Sequence, residues 1–207
     1  MKFFLNFEGP VQRIFALIGD FTILNLFWLL CCLPVITIGA STTAMNYCTM
    51  RMIEGKKAYS SKDFFISFKK NFWQSTIAGL GVMIIIAFLY LDYQLILKHF
   101  GNQWLFITTI AFITILVAME LFYLFACIAR FENTLKQHIK NAFFMSLANM
   151  KTSLISILLI GILIFIISNS VQILMLVFFV GALFGGASIS YVLSIIWLNI
   201  FSKYENS

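Results

Sequence analysis

Six apolar runs set the limits on what this chain can fold into. They cover 14–33, 35–50, 73–97, 104–129, 152–167 and 171–201, and none contains a lysine or an arginine. A helix needs about 20 apolar residues to cross a bilayer, with a range of about 17–25. Backbone groups in lipid must be paired within the segment or around a closed barrel. The runs lack the every-second-residue alternation of barrel strands. The expectation is therefore an all-α, polytopic helical membrane bundle, with 1–207 as a single integral membrane domain. Composition agrees with it. The chain is 61% hydrophobic and 11% charged, against about 45–50% and about 25% in soluble domains. Disorder, a nucleic-acid-binding tail and a globular soluble enzyme are excluded.

The fourteen basic residues all lie outside the runs, and the net charge is +6. Basic residues flanking apolar spans mark the cytoplasmic side. Arg51, Lys56, Lys57, Lys62, Lys69 and Lys70 fall in 51–72, and Arg130, Lys136, Lys140 and Lys151 in 130–151. The link 98–103 has only Lys98, the turn at Ser168-Asn169-Ser170 has none, and Lys203 is in the tail. So 51–72, 130–151 and the C-terminus are expected in the cytoplasm. The charge otherwise implies attraction to anionic headgroups, not to nucleic acid.

Pro34 breaks the first stretch, because it lacks an N–H and clashes with the preceding turn. Either 14–50 crosses once with a kink, giving five spans, or it crosses twice, giving six. Two crossings put Lys2 and Arg13 inside with the other basic residues, so both termini are expected in the cytoplasm. The segment 35–50 is short and carries Thr37, Ser41, Thr42, Thr43 and Asn46. A tilted or re-entrant helix buried by its neighbours is the other reading of it. The first run contains Asp20 and Asn25 and ends at Cys31-Cys32-Leu33-Pro34. That is not a small-x-small cleavage site, so the run is expected to be retained.

Two amphipathic helices are expected on the cytoplasmic side, near 60–72 and 130–151. In the first, Ser60 and Asp63 have capping-box spacing before Phe64, Phe65, Phe68 and Phe72. In the second, Phe131, Leu135, Ile139, Ala142, Phe143, Leu147 and Met150 recur at helical spacing, opposite Glu132, Lys136, Lys140 and Asn141.

Three acids lie within the apolar runs: Asp20, Asp92 and Glu120. Asp20 and Asp92 are near basic flanks and read as interfacial. Glu120 is ten residues from Arg130, about 15 Å deep at 1.5 Å per residue. A carboxylate there must be neutralised, paired, or turned toward water or protein. Glu120, Asn25, Asp20 and Asn46 form the candidate intramembrane polar site. Asn25, Thr43 and Asn46 are candidate partners for a Glu120 that is only structural. Gly181 and Gly185 make a GxxxG, and Gly39 belongs to a second small-residue face; both are candidate helix-packing sites, within the bundle or between subunits. Cys31, Cys32, Cys48 and Cys127 form no ligand spacing, and His99 and His138 are far apart, so no metal site is expected. No Walker A loop, GxSxG, HExxH or dinucleotide GxGxxG is present. No catalytic residue, enzyme activity or cofactor is expected.

Asn25-Leu26-Phe27-Trp28-Leu29-Leu30, then Pro34-Val35-Ile36-Thr37-Ile38-Gly39 and Thr43-Ala44, are distinctive. So is the block Asp63-Phe64-Phe65, Phe68, Lys69, Asn71 and Phe72, followed later by Arg130, Phe131, Asn141 and Ala142. On these residues the chain resembles the YesL-like family, small bacterial integral membrane proteins grouped under a domain of unknown function. Ala40 stands where some members carry a proline. The resemblance implies a multi-pass protein of the bacterial cell membrane and supplies no catalytic residues. Members are typically found beside genes for carbohydrate ABC-type uptake systems and two-component sensors. That implies an accessory or scaffold component of sugar uptake, with ABC transporter subunits or a membrane sensor as partners. The alternative reading is a small secondary transporter or channel that uses Glu120.

Overall fold

The computed structural model describes residues 10–55, 60–99, 104–168 and 181–205. It is an all-α bundle. Helix α1 runs Pro10–Cys32, and a 3-10 turn at Val35–Thr37 leads into α2, Ile38–Ile53. Then come α3 (Ser60–His99), α4 (Trp104–Arg130), α5 (Leu135–Ala148) and α6 (Met150–Ser168). A π-helical turn at Gly181–Gly185 opens into α7, Gly186–Glu205. Residues 100–103 of the link 98–103, Asn169-Ser170 and 171–180 of the last apolar run lie outside the described residues, as do Lys2, Lys56 and Lys57.

Four helices are long and apolar enough to cross a membrane: α1, α3, α4 and the π turn with α7. A fifth is reached if α5 and α6, bent by 93° at Asn149, form one broken span. Only 11–22% of each candidate span is buried inside the protein. The exposed remainder is leucine, isoleucine and phenylalanine, as at Ile84, Phe88, Leu105, Phe112 and Leu158. Such a surface is stable only against lipid. The protein is thus a multi-pass helical membrane protein.

The short segment 35–50 becomes the 3-10 turn and α2. At 16 residues, α2 is about 24 Å long, less than the ~30 Å hydrocarbon layer. It is instead the most enclosed helix, packed by α1, α3, α4 and α7. Its hydroxyls return to their own backbone, Ser41 to the Thr37 carbonyl and Thr43 to that of Gly39, both at 3.0 Å. This lets a polar helix sit in an apolar interior. Thr37 stitches the hinge before it, its hydroxyl lying 2.5 Å from the Cys31 carbonyl and 2.7 Å from that of Pro34.

The region 60–72 is helical, as expected, and runs into the span at Trp73 as the first third of a continuous 40-residue α3. No proline or glycine falls near Trp73 to break it, and Phe64 and Ser67 are buried against the bundle. In 130–151 the helix is shorter than expected. Residues 131–134 are a non-helical link, because Thr134 and Gln137 form a capping box that starts α5 at Leu135.

Two apolar clusters hold the bundle. One joins α4 to α5 and α7 through Phe122, Tyr123, Cys127, Met145, Trp197 and Phe201. The other joins α1, α2 and the start of α3 through Leu24, Ala44, Cys48 and Phe64.

Candidate functional site

The intramembrane candidates are placed apart from one another. Asn25 is fully buried. Its amide nitrogen donates to the carbonyls of Gly181 (3.0 Å) and Ala182 (2.8 Å), and its oxygen accepts from the Ala187 N–H (3.2 Å). It thereby ties α1 to the π turn and to the start of α7. Asn46 accepts from Ser190 at 2.8 Å. Thr49 lies 3.0 Å from the Ser190 hydroxyl and 2.8 Å from that of Ser194, so a polar seam joins α2 to α7. Thr43 accepts from the Ser75 hydroxyl at 2.9 Å. Asn25, Thr43 and Asn46 are thus bonded elsewhere than to Glu120. Glu120 is half-buried on α4. Asp20 is half-buried on α1, and Asp92 is exposed on α3.

Of the small-residue faces, Gly39 makes the closest approach. A Cβ there would collide with the Ser75 carbonyl oxygen, and one on Gly79 would lie 3.2 Å from the Gly39 Cα. Around Gly181 and Gly185, by contrast, a Cβ would meet nothing within 4 Å among the described residues. The tight contact of that region is Gly186, where a Cβ would lie 2.8 Å from the Asn25 oxygen.

The remaining motif residues build the hairpin and its seat on α3. Trp28 donates to Thr42 at 3.3 Å across the α1–α2 hairpin, and Pro34 opens the 3-10 turn. Asp63 faces the Arg51 Nε at 3.7 Å. Phe64 stacks on Phe27 and Phe68, with ring centroids 6.0 and 6.1 Å apart.

The sequence did not mark the largest polar feature. The ends of α2, α4 and α7 meet at one guanidinium. Arg130 pairs with Glu54, and its Nε and a terminal nitrogen reach Glu205 at 2.6 and 3.1 Å. Beside it a cavity of about 730 Å³ lies between α3, the link 131–134 and the start of α5. Ser67, Lys70, Asn71 and Gln74 line it from α3, and Glu132, Thr134 and Gln137 from the other side. Two ties cross it. Lys70 donates to Glu132, and Gln74 donates to the Asn133 carbonyl at 3.1 Å. The Lys70 ammonium holds the Glu132 carboxyl below its usual range, by hydrogen bond first and charge second. A signal for this site was available. Lys70, Asn71 and Gln74 lie within one helical turn, and a charged, polar link follows the α4 span.

A second cavity, of about 280 Å³, is largely apolar and lies between α1, α2, α4 and α7, lined by Trp28, Asn46, Phe122 and Trp197 among others. Glu120 lines neither cavity. Among the described residues, no three of His, Cys, Asp and Glu converge as metal ligands.

Residues 21–93 match a family model described as protein of unknown function, DUF624. The match runs from Phe21 in α1 through α2 to Tyr93 in α3. It takes in the hinge, the Gly39 crossing and the α3 wall of the cavity. No curated protein and no solved structure matches the chain.

Proposed function

We propose that this protein is a YesL-like, non-enzymatic accessory or scaffold component of a carbohydrate ABC-type uptake system. It would lie in the bacterial cell membrane with its basic end in the cytoplasm. The observation that carries the reading is the state of α5. Its inner face, with His138, Ala142, Met145 and Ser146, is buried against the bundle. Its outer face leaves Ile139, Phe143, Phe144 and Leu147 exposed beside Lys136 and Lys140. A rigidly seated helix with an open apolar face, at the basic end between two apolar helices, is suited to meet an ATPase or permease subunit. The YesL-like resemblance supports the uptake system as the source of that subunit. Affinity capture of the detergent-solubilised protein from native membranes tests the reading. A permease, ATPase or solute-binding protein should co-purify, and Phe143→Ser with Phe144→Ser should release it. Recovery of none of these would overturn the proposal.

A second reading, a small secondary transporter or channel, draws on Glu120. No hydrogen bond or ion pair satisfies its carboxyl group among the described residues, and unsatisfied acids inside membranes mark ion pathways. Reconstituted vesicles should then show proton-coupled flux that Glu120→Gln abolishes. Equal flux in the variant would remove Glu120 from the mechanism.

A further inference from the structure

The cavity at the basic end has the chemistry of a lipid-headgroup site. Its position is set by α3. Trp73, 75% exposed, lines it and stands where the charged start of α3 gives way to the apolar run 73–97. Tryptophan concentrates at that depth, where lipid meets water. Toward the start of α3 the lining carries the polar Lys70, Asn71 and Ser67, with Gln74 next to Trp73. On its other side, in the apolar run, Ile77 is exposed. A molecule with a polar head and an apolar tail fits this division.

The sign of the head follows from the charges. Arg130 is occupied by Glu54 and Glu205 and is not free to bind a ligand. Among the described residues Lys70 pairs with Glu132, and both side chains are exposed, at 57% and 80%. An ammonium has three donors, and an exposed pair of this kind exchanges readily. The first turn of α5, with Thr134 and Gln137, borders the same space and turns its positive dipole end toward it. Basic pockets between helices at the cytoplasmic membrane face suit anionic lipid headgroups. The volume falls inside the roughly 300–1,000 Å³ range of ligand sites.

We propose that this cavity seats the phosphate headgroup of an anionic phospholipid, with Lys70 as the cation that binds it and Glu132 as the internal carboxylate it displaces. Asn71, Gln74 and Gln137 supply neutral hydrogen bonds to the glycerol and headgroup oxygens. The acyl chains leave along Trp73 and Ile77. The site does not depend on whether α5 meets an uptake system.

The full chain, purified in a neutral detergent and mixed with phosphatidylglycerol or phosphatidylcholine of the same acyl chains, tests this by native mass spectrometry. Phosphatidylglycerol should be retained in preference. Lys70→Glu should lower its occupancy at least about fivefold. Glu132→Gln, which removes the competitor without reversing any charge, should keep or raise it. Lys62→Glu, outside the cavity, should leave it unchanged. Equal retention of the two lipids, an unaffected Lys70→Glu, or an equal loss in Lys62→Glu would each overturn the site. So would loss of binding in Glu132→Gln. Displacement of the lipid by millimolar sn-glycerol 3-phosphate would assign the cavity to a soluble phosphate ester and overturn the lipid.

Discussion

Asn25 repairs an interruption in a helix that approaches it from the far end of the chain. Its three bonds reach Gly181, Ala182 and Ala187, around a π turn whose backbone is not in the regular α pattern. Leucine shares the branching at Cγ but can make none of them. Asn25→Leu removes all three bonds at a buried site, and a buried polar group left short of a partner costs about 1–3 kcal/mol. Thermal unfolding in detergent should show a clear fall for Asn25→Leu, and an unchanged midpoint would remove the splice from the account. Glycines give a sharper contrast. Gly39→Ala drives a methyl group into the Ser75 carbonyl, where α2 crosses α3. Overpacking of this kind costs about 1–3 kcal/mol. Gly81→Ala, on α3 with open space around it, should instead gain up to about 1 kcal/mol from helix propensity. The two variants should move the unfolding midpoint in opposite directions, and equal effects would contradict the crossing.

At the element scale, Arg130 decides how three helix ends are held together. Arg130→Gln removes the charge shared by Glu54 and Glu205 and leaves two carboxylates at one corner. The end of α7 should loosen, read as faster amide exchange over 200–205 and earlier proteolysis of the tail. Exchange equal to the parent would show that the tail is held by Phe201 packing alone. The Lys70–Glu132 tie has a definite pH sign. The folded-state carboxyl sits below its ordinary value, so the tie is fully present above the ordinary carboxylate range. It is lost as pH falls through the depressed value. Protection over 131–134, taken relative to the intrinsic exchange rate at each pH, should fall in that acid window and be flat with pH in Glu132→Gln. These junctions explain what the sequence could and could not disclose. The apolar runs and the helical spacing of Leu135 to Leu147 are local patterns, so the helices were legible, but which side of α5 is buried was not: Ile139, Phe143 and Leu147 are exposed, while His138, Met145 and Ser146 face the bundle. Nothing local relates residue 54 to 130 to 205, or 25 to 181. The partners of Arg130 and Asn25, and the cavity that forms beside Arg130, depend on how whole helices meet.

At the scale of the molecule, the open question is how far the α1–α2 hairpin penetrates. Helix α3 is 40 residues long, about 60 Å at 1.5 Å per residue. Gly39, just past the hinge, packs on Ser75 and Gly79, near the middle of α3. The hinge thus stops about 30 Å short of the α3 end. Beyond it, among the described residues, exposed apolar flanks of α3 and α4 continue, and these need lipid. Leu33, Val35 and Ile36 at the hinge are themselves 76%, 61% and 54% exposed. Three open apolar side chains fit a turn inside the hydrocarbon layer better than one in water. The hairpin should therefore enter from the basic end and return to it, with α2 as a re-entrant helix instead of a full crossing. Cysteine labelling in sealed, right-side-out vesicles decides this, on a background with Cys31, Cys32, Cys48 and Cys127 replaced. Leu33→Cys should resist a membrane-impermeant maleimide added from outside, while Lys98→Cys reacts. Glu132→Cys and Lys203→Cys should both react only after the vesicles are opened, because Arg130 holds those segments to one end. Rapid outside labelling of Leu33→Cys would restore two full crossings of 14–50. Labelling of Glu132→Cys and Lys203→Cys from opposite sides would break the bundle that Arg130 ties.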